Sequence, residues 1–238
     1  MLLVVDNEVD PAYDYLPAAL RAMLPAHGVR RVGRRGTDAV DDDTDGDDTV
    51  DAGTGLDDIV VGDLDAVVLT GSTAGVYDAD DHPWMAEERR FVRRLVDAGV
   101  PTLGVCFGHQ LVNDALGGTV EHRGLTAELV AVDFTDDPLF DGVAATVPMV
   151  HGDHVVDPGE AMESVASADY YPHLATRHRD APVWTVQYHP EFGADLRERV
   201  AADFEWHETG RSFADATHDR TVRNFLRLAG ARHLDRDG

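Results

Sequence analysis

The sequence contains no lysine: all 20 of its basic side chains are arginine, against 45 aspartates and glutamates, for a formal net charge of −25. A surface so poor in positive charge has no basic patch for a phosphate backbone, which argues against nucleic-acid binding. Aspartate dominates the acids. Abundant Asp with no Lys reads as adaptation to a high-salt cytoplasm, where a Debye length of about 3 Å in molar salt screens the self-repulsion. No apolar run is long enough to span a bilayer, so no membrane association is expected. Residues 1–6 lack a basic leader and meet Asp6 too early for a signal peptide; they read as a buried strand. A single cysteine excludes an internal disulfide and fits a reducing, cytoplasmic setting. No GxGxxG fingerprint is present, and Gly71-Ser-Thr-Ala-Gly75 has no Walker lysine, so no cofactor is expected.

What is there suffices for one sizeable α/β domain: 238 residues, 43% of them hydrophobic. Hydrophobic periodicity predicts strands at 2–6, 29–34 and 65–70, and helices at 13–26 and 83–99. From about 127 short strands follow, at 127–134, 144–150, near 155, 162–168, 173–176 and 183–188. Helices at 195–207 and 218–228 make a C-terminal extension over 194–238. Strands alternating with helices imply a mostly parallel sheet, and the later strands an antiparallel edge or small second sheet. No repeat or domain-sized linker divides 1–238. Residues 37–58, with Asp41-Asp-Asp-Thr-Asp-Gly-Asp-Asp48, have almost no apolar side chains and read as a flexible acidic insert. Their Asp spacing suggests a calcium loop, but no Glu closes it in the EF-hand register. Arg89, Arg90, Arg93 and Arg94 read as a solvated helix face, with an anionic partner as the alternative.

The cysteine has a distinctive setting. Gly104-Val-Cys106-Phe-Gly-His-Gln110 lies between an apolar run and an amphipathic stretch, which places Cys106 at a strand-to-helix turn. Gly104 and Gly108 flank it, the cysteine version of a nucleophile elbow. The following helix aims unpaired N–H groups at the sulfur and favours thiolate. A buried structural thiol is the plain alternative. A base is supplied by Val183-Trp-Thr-Val-Gln-Tyr-His189-Pro190-Glu191. Pro190 forces His189 into an extended conformation, where side chains two apart share a face. Glu191 then orients one imidazole nitrogen and the other takes a proton from the thiol, the logic of a catalytic triad.

These two segments resemble the paired signatures of the class I, triad-type glutamine amidotransferases, and the likeness covers the chain from its first strand to about residue 193. Within that class it is nearest to the glutaminase part of GMP synthetase, to which Val150-His151-Gly-Asp153-His-Val155, 165–169 and 175–178 are similar. The resemblance implies a flavodoxin-like three-layer α/β sandwich and hydrolysis of the glutamine side-chain amide by Cys106, His189 and Glu191. It implies an oxyanion hole at the Gly71 and Phe107 backbone, and a glutamine pocket with Gln110, His151 and Asp153, the last facing the substrate ammonium. It also implies an ATP-dependent synthetase as ammonia acceptor, expected on a separate chain because no nucleotide-activating segment is recognisable here.

The sequence departs from the family pattern in three places. No proline follows Gly71, Val150 stands where a serine is usual, and Glu8-Val-Asp-Pro replaces a Gly-Gln type turn after the first strand. The acceptor therefore stays open. Two other readings remain: a free-standing γ-glutamyl peptidase or hydrolase, and a non-catalytic binding module on the same fold. His151 and His154 suggest a metal pair, but two histidines three apart in a strand are not expected to share a face, so no metal site is expected.

Overall fold

The computed structural model describes residues 1–33, 55–217 and 219–230. β1 (Leu2–Asp6) is buried along its whole length, as a strand covered on both faces must be. It pairs in parallel with β2 (Gly28–Arg31) on one side and β3 (Ala66–Leu69) on the other. β3 pairs in parallel with β4 (Thr102–Val105). The crossovers carry α1 (Tyr15–Ala22) between β1 and β2, and α2 (Trp84–Ala98) between β3 and β4. α3 (Phe107–Ala115) leaves the end of β4.

The chain then departs from the main sheet. β5 (Thr119–Ala131) pairs antiparallel with β7 (Thr146–Asp157) in a separate ribbon, with the short β6 (Asp133–Phe134) between them in sequence. β8 (Met162–Ala168), β9 (Tyr171–His178) and β10 (Val183–Val186) return to the main sheet. β10 lies parallel to β4, and β9, β8 and β6 extend the sheet antiparallel. The full order is β2-β1-β3-β4-β10-β9-β8-β6. Its parallel part follows the flavodoxin-like order, whose switch point falls between β1 and β3. The expected antiparallel edge and small second sheet are both present.

Alternate residues of the strands feed two apolar layers. Leu2, Ala66 and Val68 face one, with Leu103, Trp184 and Phe225. Leu3, Val5, Val67 and Leu69 face the other, with Phe91, Leu95 and Phe107. This is the period of two expected of a sheet covered on both sides. α4 (Arg197–Asp203) and α5 (Arg220–Leu228) complete the fold; Val222 and Phe225 of α5 belong to the first layer.

Several expectations need correction. The strands read at 144–150 and near 155 are one strand, β7, because its pairing with β5 continues on both sides of Gly152. β5 begins at Thr119, not at 127, since an irregularity between His122 and Thr126 hides its alternation. Of the 37–58 insert, positions through 54, including the aspartate run and its calcium-loop spacing, lie outside the described residues. Its last positions are docked rather than free: Leu56 is fully buried and Asp57 pairs with Arg90. The arginine face of α2 is not merely solvated. Arg89 bonds Asp114 and the Val76 carbonyl, Arg93 the Ala115 carbonyl, and Arg94 the carbonyls of Leu56, Asp57 and Ile59. These side chains tie α2 to α3 and to the segment before β3. Among the described residues, no helix is long and apolar enough to cross a membrane.

Candidate active site

Cys106 follows β4 and caps α3, with φ 51° and ψ −107°. Positive φ is costly for a residue with a side chain; among the described residues only Ala161 shares it outside glycine. The flanking glycines make the turn fit. A Cβ on Gly104 would lie 2.5 Å from the Gly108 carbonyl oxygen, and one on Gly108 would lie 2.5 Å from the Leu69 carbonyl oxygen. The elbow is thus wedged against the ends of β3 and β4 with no room for side chains on the inner face.

His189 and Glu191, just past β10, lie beside it. His189 Nδ1 is 2.7 Å from Glu191 Oε1, and His189 Nε2 donates to the Val150 carbonyl at 3.1 Å. The Cys106 Sγ points at that same carbonyl, 3.7 Å away. Both imidazole nitrogens therefore face acceptors, an arrangement that the doubly protonated ring satisfies. Burial alone would hold His189 neutral. The Glu191 carboxylate, and after it the charge and hydrogen bonding of the Cys106 sulfur, outweigh it and raise His189 well above its usual 6.5.

The cleft over the thiol has a volume of about 390 Å³. Its walls come from the loop after β1 (Glu8, Asp10), the loop after β3 (Gly71 to Asp78) and the ribbon (His122, Val150 to Asp153). This is the carboxyl end of the parallel strands, beside the switch point, where open α/β sheets bind ligands.

Residues 46–205 match the family described as glutamine amidotransferase class-I. The chain belongs to the class-I glutamine amidotransferases. It is 29% identical over 170 residues to the GMP synthase [glutamine-hydrolyzing] of Staphylococcus carnosus, covering 68% of this chain and 30% of that protein. It is 36% identical over 132 residues to the GMP synthase [glutamine-hydrolyzing] of Streptomyces coelicolor, covering 53% of this chain and 24% of that one. The amidotransferase thus spans about a third or less of the length of these relatives. A solved glutamine amidotransferase from Thermotoga maritima matches its fold with a TM-score of 0.63 at 15% identity, over 96% of this chain and 97% of that one.

The remaining candidate residues of this amidotransferase are distributed as follows. Gly71 faces the thiol: a Cβ there would sit 3.9 Å from Cys106 Sγ and 3.6 Å from His189 Cε1. Phe107 holds the first position of α3, where a backbone N–H has no intrahelical acceptor; its ring packs on Trp84 at 5.7 Å. Gln110 lines the cleft, but its amide N–H group already donates to Gln187 Oε1 at 3.2 Å and the Asp153 carbonyl at 3.4 Å. Asp153 Oδ1 accepts from Tyr77 Oη and lies beside His122 Nδ1, each at 2.9 Å. Burial and that carboxylate push Tyr77 up to about 12. His151 donates from Nδ1 to the Asp153 carbonyl and accepts at Nε2 from Tyr170 Oη, both at 3.0 Å. Burial, aided by His154 and His189, pushes it down to about 3, so the ring is neutral.

Contrary to the expectation, the His151 and His154 rings meet, with centroids 4.9 Å apart. The extra residues of β5 between His122 and Thr126 lie opposite Gly152, so simple alternation does not govern the two rings there. Among the described residues, no group of three or more His, Cys, Asp or Glu is placed to hold a metal. Sequence reasoning missed Tyr77 and His122, which grip Asp153, and Glu8, whose Oε1 accepts from the Thr73 hydroxyl at 2.6 Å. Glu8 is raised by burial, against the opposing Thr73 hydrogen bond. Its position just past the first strand was the available signal. The cross-strand register that sets His122 opposite Asp153 left none.

Proposed function

We propose that this amidotransferase hydrolyses the side-chain amide of L-glutamine to glutamate and ammonia. His189, as imidazolium, already holds the proton given up by Cys106, and the thiolate attacks the amide carbon. The backbone N–H groups of Gly71 and Phe107 receive the oxyanion, an interaction worth a few kcal/mol of barrier per donor in comparable sites. His189 then gives its proton to the leaving nitrogen, and ammonia departs. Water, deprotonated by His189, cleaves the γ-glutamyl thioester. Glu191 fixes the ring and stabilises its charge. The observation that carries this reading is the His189 ring: one nitrogen on Glu191, the other sharing the Val150 carbonyl with the Cys106 sulfur.

Ammonia then passes to an amidating synthetase, with purine nucleotide amination as the first candidate given the named relatives. Gln110, His151 and Asp153 form the wall against which glutamine lies, with the Asp153 carboxylate toward its ammonium. The chain forms a single domain that works in a salt-rich cytoplasm, in keeping with its charge. One observation favours a second reading, a free-standing γ-glutamyl hydrolase: the cleft runs on past the thiol to Tyr13, Leu16, Pro17 and Phe204, an apolar wall suited to a larger amide. The experiment is ammonia release from glutamine against release of amine from bulky γ-glutamyl amides, in molar KCl, alone and with the ATP-dependent proteins of a native extract. Faster turnover of the bulky amides, with no gain from any added protein, would replace the first reading with the second.

A further inference from the structure

The loop after β1 grips the loop after β3 at the switch point. Asn7 is fully buried. Its backbone N–H donates to Thr70 Oγ1 at 3.0 Å, and its side-chain Nδ2 donates to the Thr70 carbonyl at 3.2 Å. The Thr70 hydroxyl in turn donates to the Gly71 carbonyl at 3.0 Å. The Thr70 carbonyl has a second donor, the N–H of Gly108 in the elbow, at 3.2 Å. Meanwhile the Asn7 Oδ1 is buried with no partner. An amide that leaves its oxygen unpaired in the interior incurs a desolvation cost with no return from that atom. Turning it over would set oxygen against the Thr70 oxygen, so the donor contact alone fixes its orientation.

A trans peptide is planar, with its carbonyl and N–H pointing in opposite directions; the described residues include no cis bond. Holding the Thr70 oxygen therefore aims the Gly71 N–H. We propose that Asn7 is a positioning residue that clamps the Thr70–Gly71 peptide so that the Gly71 N–H faces the oxyanion formed at Cys106. This rests on the glutaminase reading for the substrate, but not for the clamp itself: any acyl transfer to Cys106 would use the same donor. The carbonyl of the Thr70–Gly71 peptide is shared between the first-strand loop and the elbow, which ties the donor's direction to the nucleophile's own helix. Asn7 touches neither thiol nor imidazole by any hydrogen bond in the structure, so its loss acts on the oxyanion and leaves Cys106 and His189 in place.

The test separates acylation from alkylation. p-Nitrophenyl acetate acylates a cysteine through an oxyanion, whereas iodoacetamide alkylates it without one. In Asn7→Ala, the ester acylation rate and the kcat for glutamine should both fall by about 10²-fold, the scale of a lost oxyanion donor. KM for glutamine should hold, and Cys106 alkylation should stay within about twofold of wild type, because the thiol and its base are untouched. Thr70→Val preserves shape while removing both hydroxyl bonds; it should lower the ester rate by about tenfold with the same unchanged alkylation. It also serves if Asn7→Ala does not fold. Acylation at the wild-type rate in a folded variant would overturn the clamp. So would a parallel loss of acylation and alkylation, which marks general collapse of the site. A wild type that is acylated by the ester but never turns over glutamine would instead sink the glutaminase reading and leave the clamp standing on the ester rates.

Discussion

Gly104 and Gly108 sit so close that a Cβ on the first would meet the second's carbonyl oxygen at 2.5 Å. Gly108 meets the Leu69 backbone just as tightly, whereas a Cβ on Gly71 would find only ordinary contacts of 3.5 Å or more. The three glycines should therefore respond differently to alanine. Gly104→Ala and Gly108→Ala push against backbone and should each lose about 1–3 kcal/mol or more, an overpacking cost. In a chain of this size that reads as a melting shift of roughly 2–4 °C per kcal/mol. Gly71→Ala should melt near wild type yet lose most of its turnover, since its methyl group enters the space beside the sulfur. Thermal melts beside ammonia assays decide it; a strongly destabilised Gly71→Ala would mean that the loop, not the thiol, needs the glycine.

Cys106 should be the sole site of acyl-enzyme formation. A glutamine-like electrophile in high salt should add once per chain and stop ammonia release, and Cys106→Ser should abolish both. Intact-mass spectrometry reads the adduct. Residual turnover in Cys106→Ser comparable to wild type would require another nucleophile.

Glu191 should act through His189. Without the carboxylate, His189 loses two of the interactions that raise it, so its value in Glu191→Gln should fall below the native one. Ring ¹⁵N shifts measured across pH report this directly. Because the native value is raised, the stabilisation it brings is present below the unfolded value of 6.5 and is lost as pH rises through the native one. Activity should fall further in His189→Ala than in Glu191→Gln. The opposite ranking would reassign the base.

Two other histidines should make the protein acid-sensitive. His109 is fully buried between the Thr185 hydroxyl and the Tyr171 hydroxyl, and burial pushes it down to about 3, as it does His151. Both bind protons more readily unfolded than folded, so stability should fall as pH drops below 6.5. At pH 5 the loss should be at most about 2 kcal/mol per imidazole. Urea midpoints at pH 7 and pH 5, for wild type and His109→Asn, test it. An unchanged slope in the variant would clear His109 of the effect.

The excess negative charge should make the fold depend on salt. In dilute buffer the chain should expand or unfold, and molar KCl should restore it as the Debye length contracts to about 3 Å. Circular dichroism along a KCl titration reads this. A native spectrum and full activity without added salt would remove the high-salt interpretation.

Local pattern carried much of this fold and its limits are specific. β1, β3, β4 and α2 were legible because a doubly covered strand and a long amphipathic helix write their periods plainly. That Cys106, His189 and Glu191 would lie side by side was legible because a glycine-flanked turn and a proline fix local backbone. The ribbon was not. Its register depends on pairing between residues about thirty positions apart, as with His122 and Asp153, and its irregularities break the alternation that would announce it. The arginines of α2 misled for a related reason: a charged stripe looks solvated until the carbonyls it reaches, such as Ala115, are known from the tertiary fold.

That ribbon has a further consequence. Cys106, His189 and Glu191 hang from the main sheet, while His122, His151 and Asp153 belong to β5 and β7, which share no strand with it. The cleft is thus built from two separate sheets, which meet where the Val150 and Pro148 carbonyls accept from His189, the Asp153 carbonyl from Gln110 and the Tyr171 hydroxyl from the Val155 N–H. On the proposed function, a graft that exchanged 119–131 and 146–157 for another hairpin of equal length, keeping those contacts, should change which amide is accepted while leaving the thiol, imidazole and carboxylate where they stand.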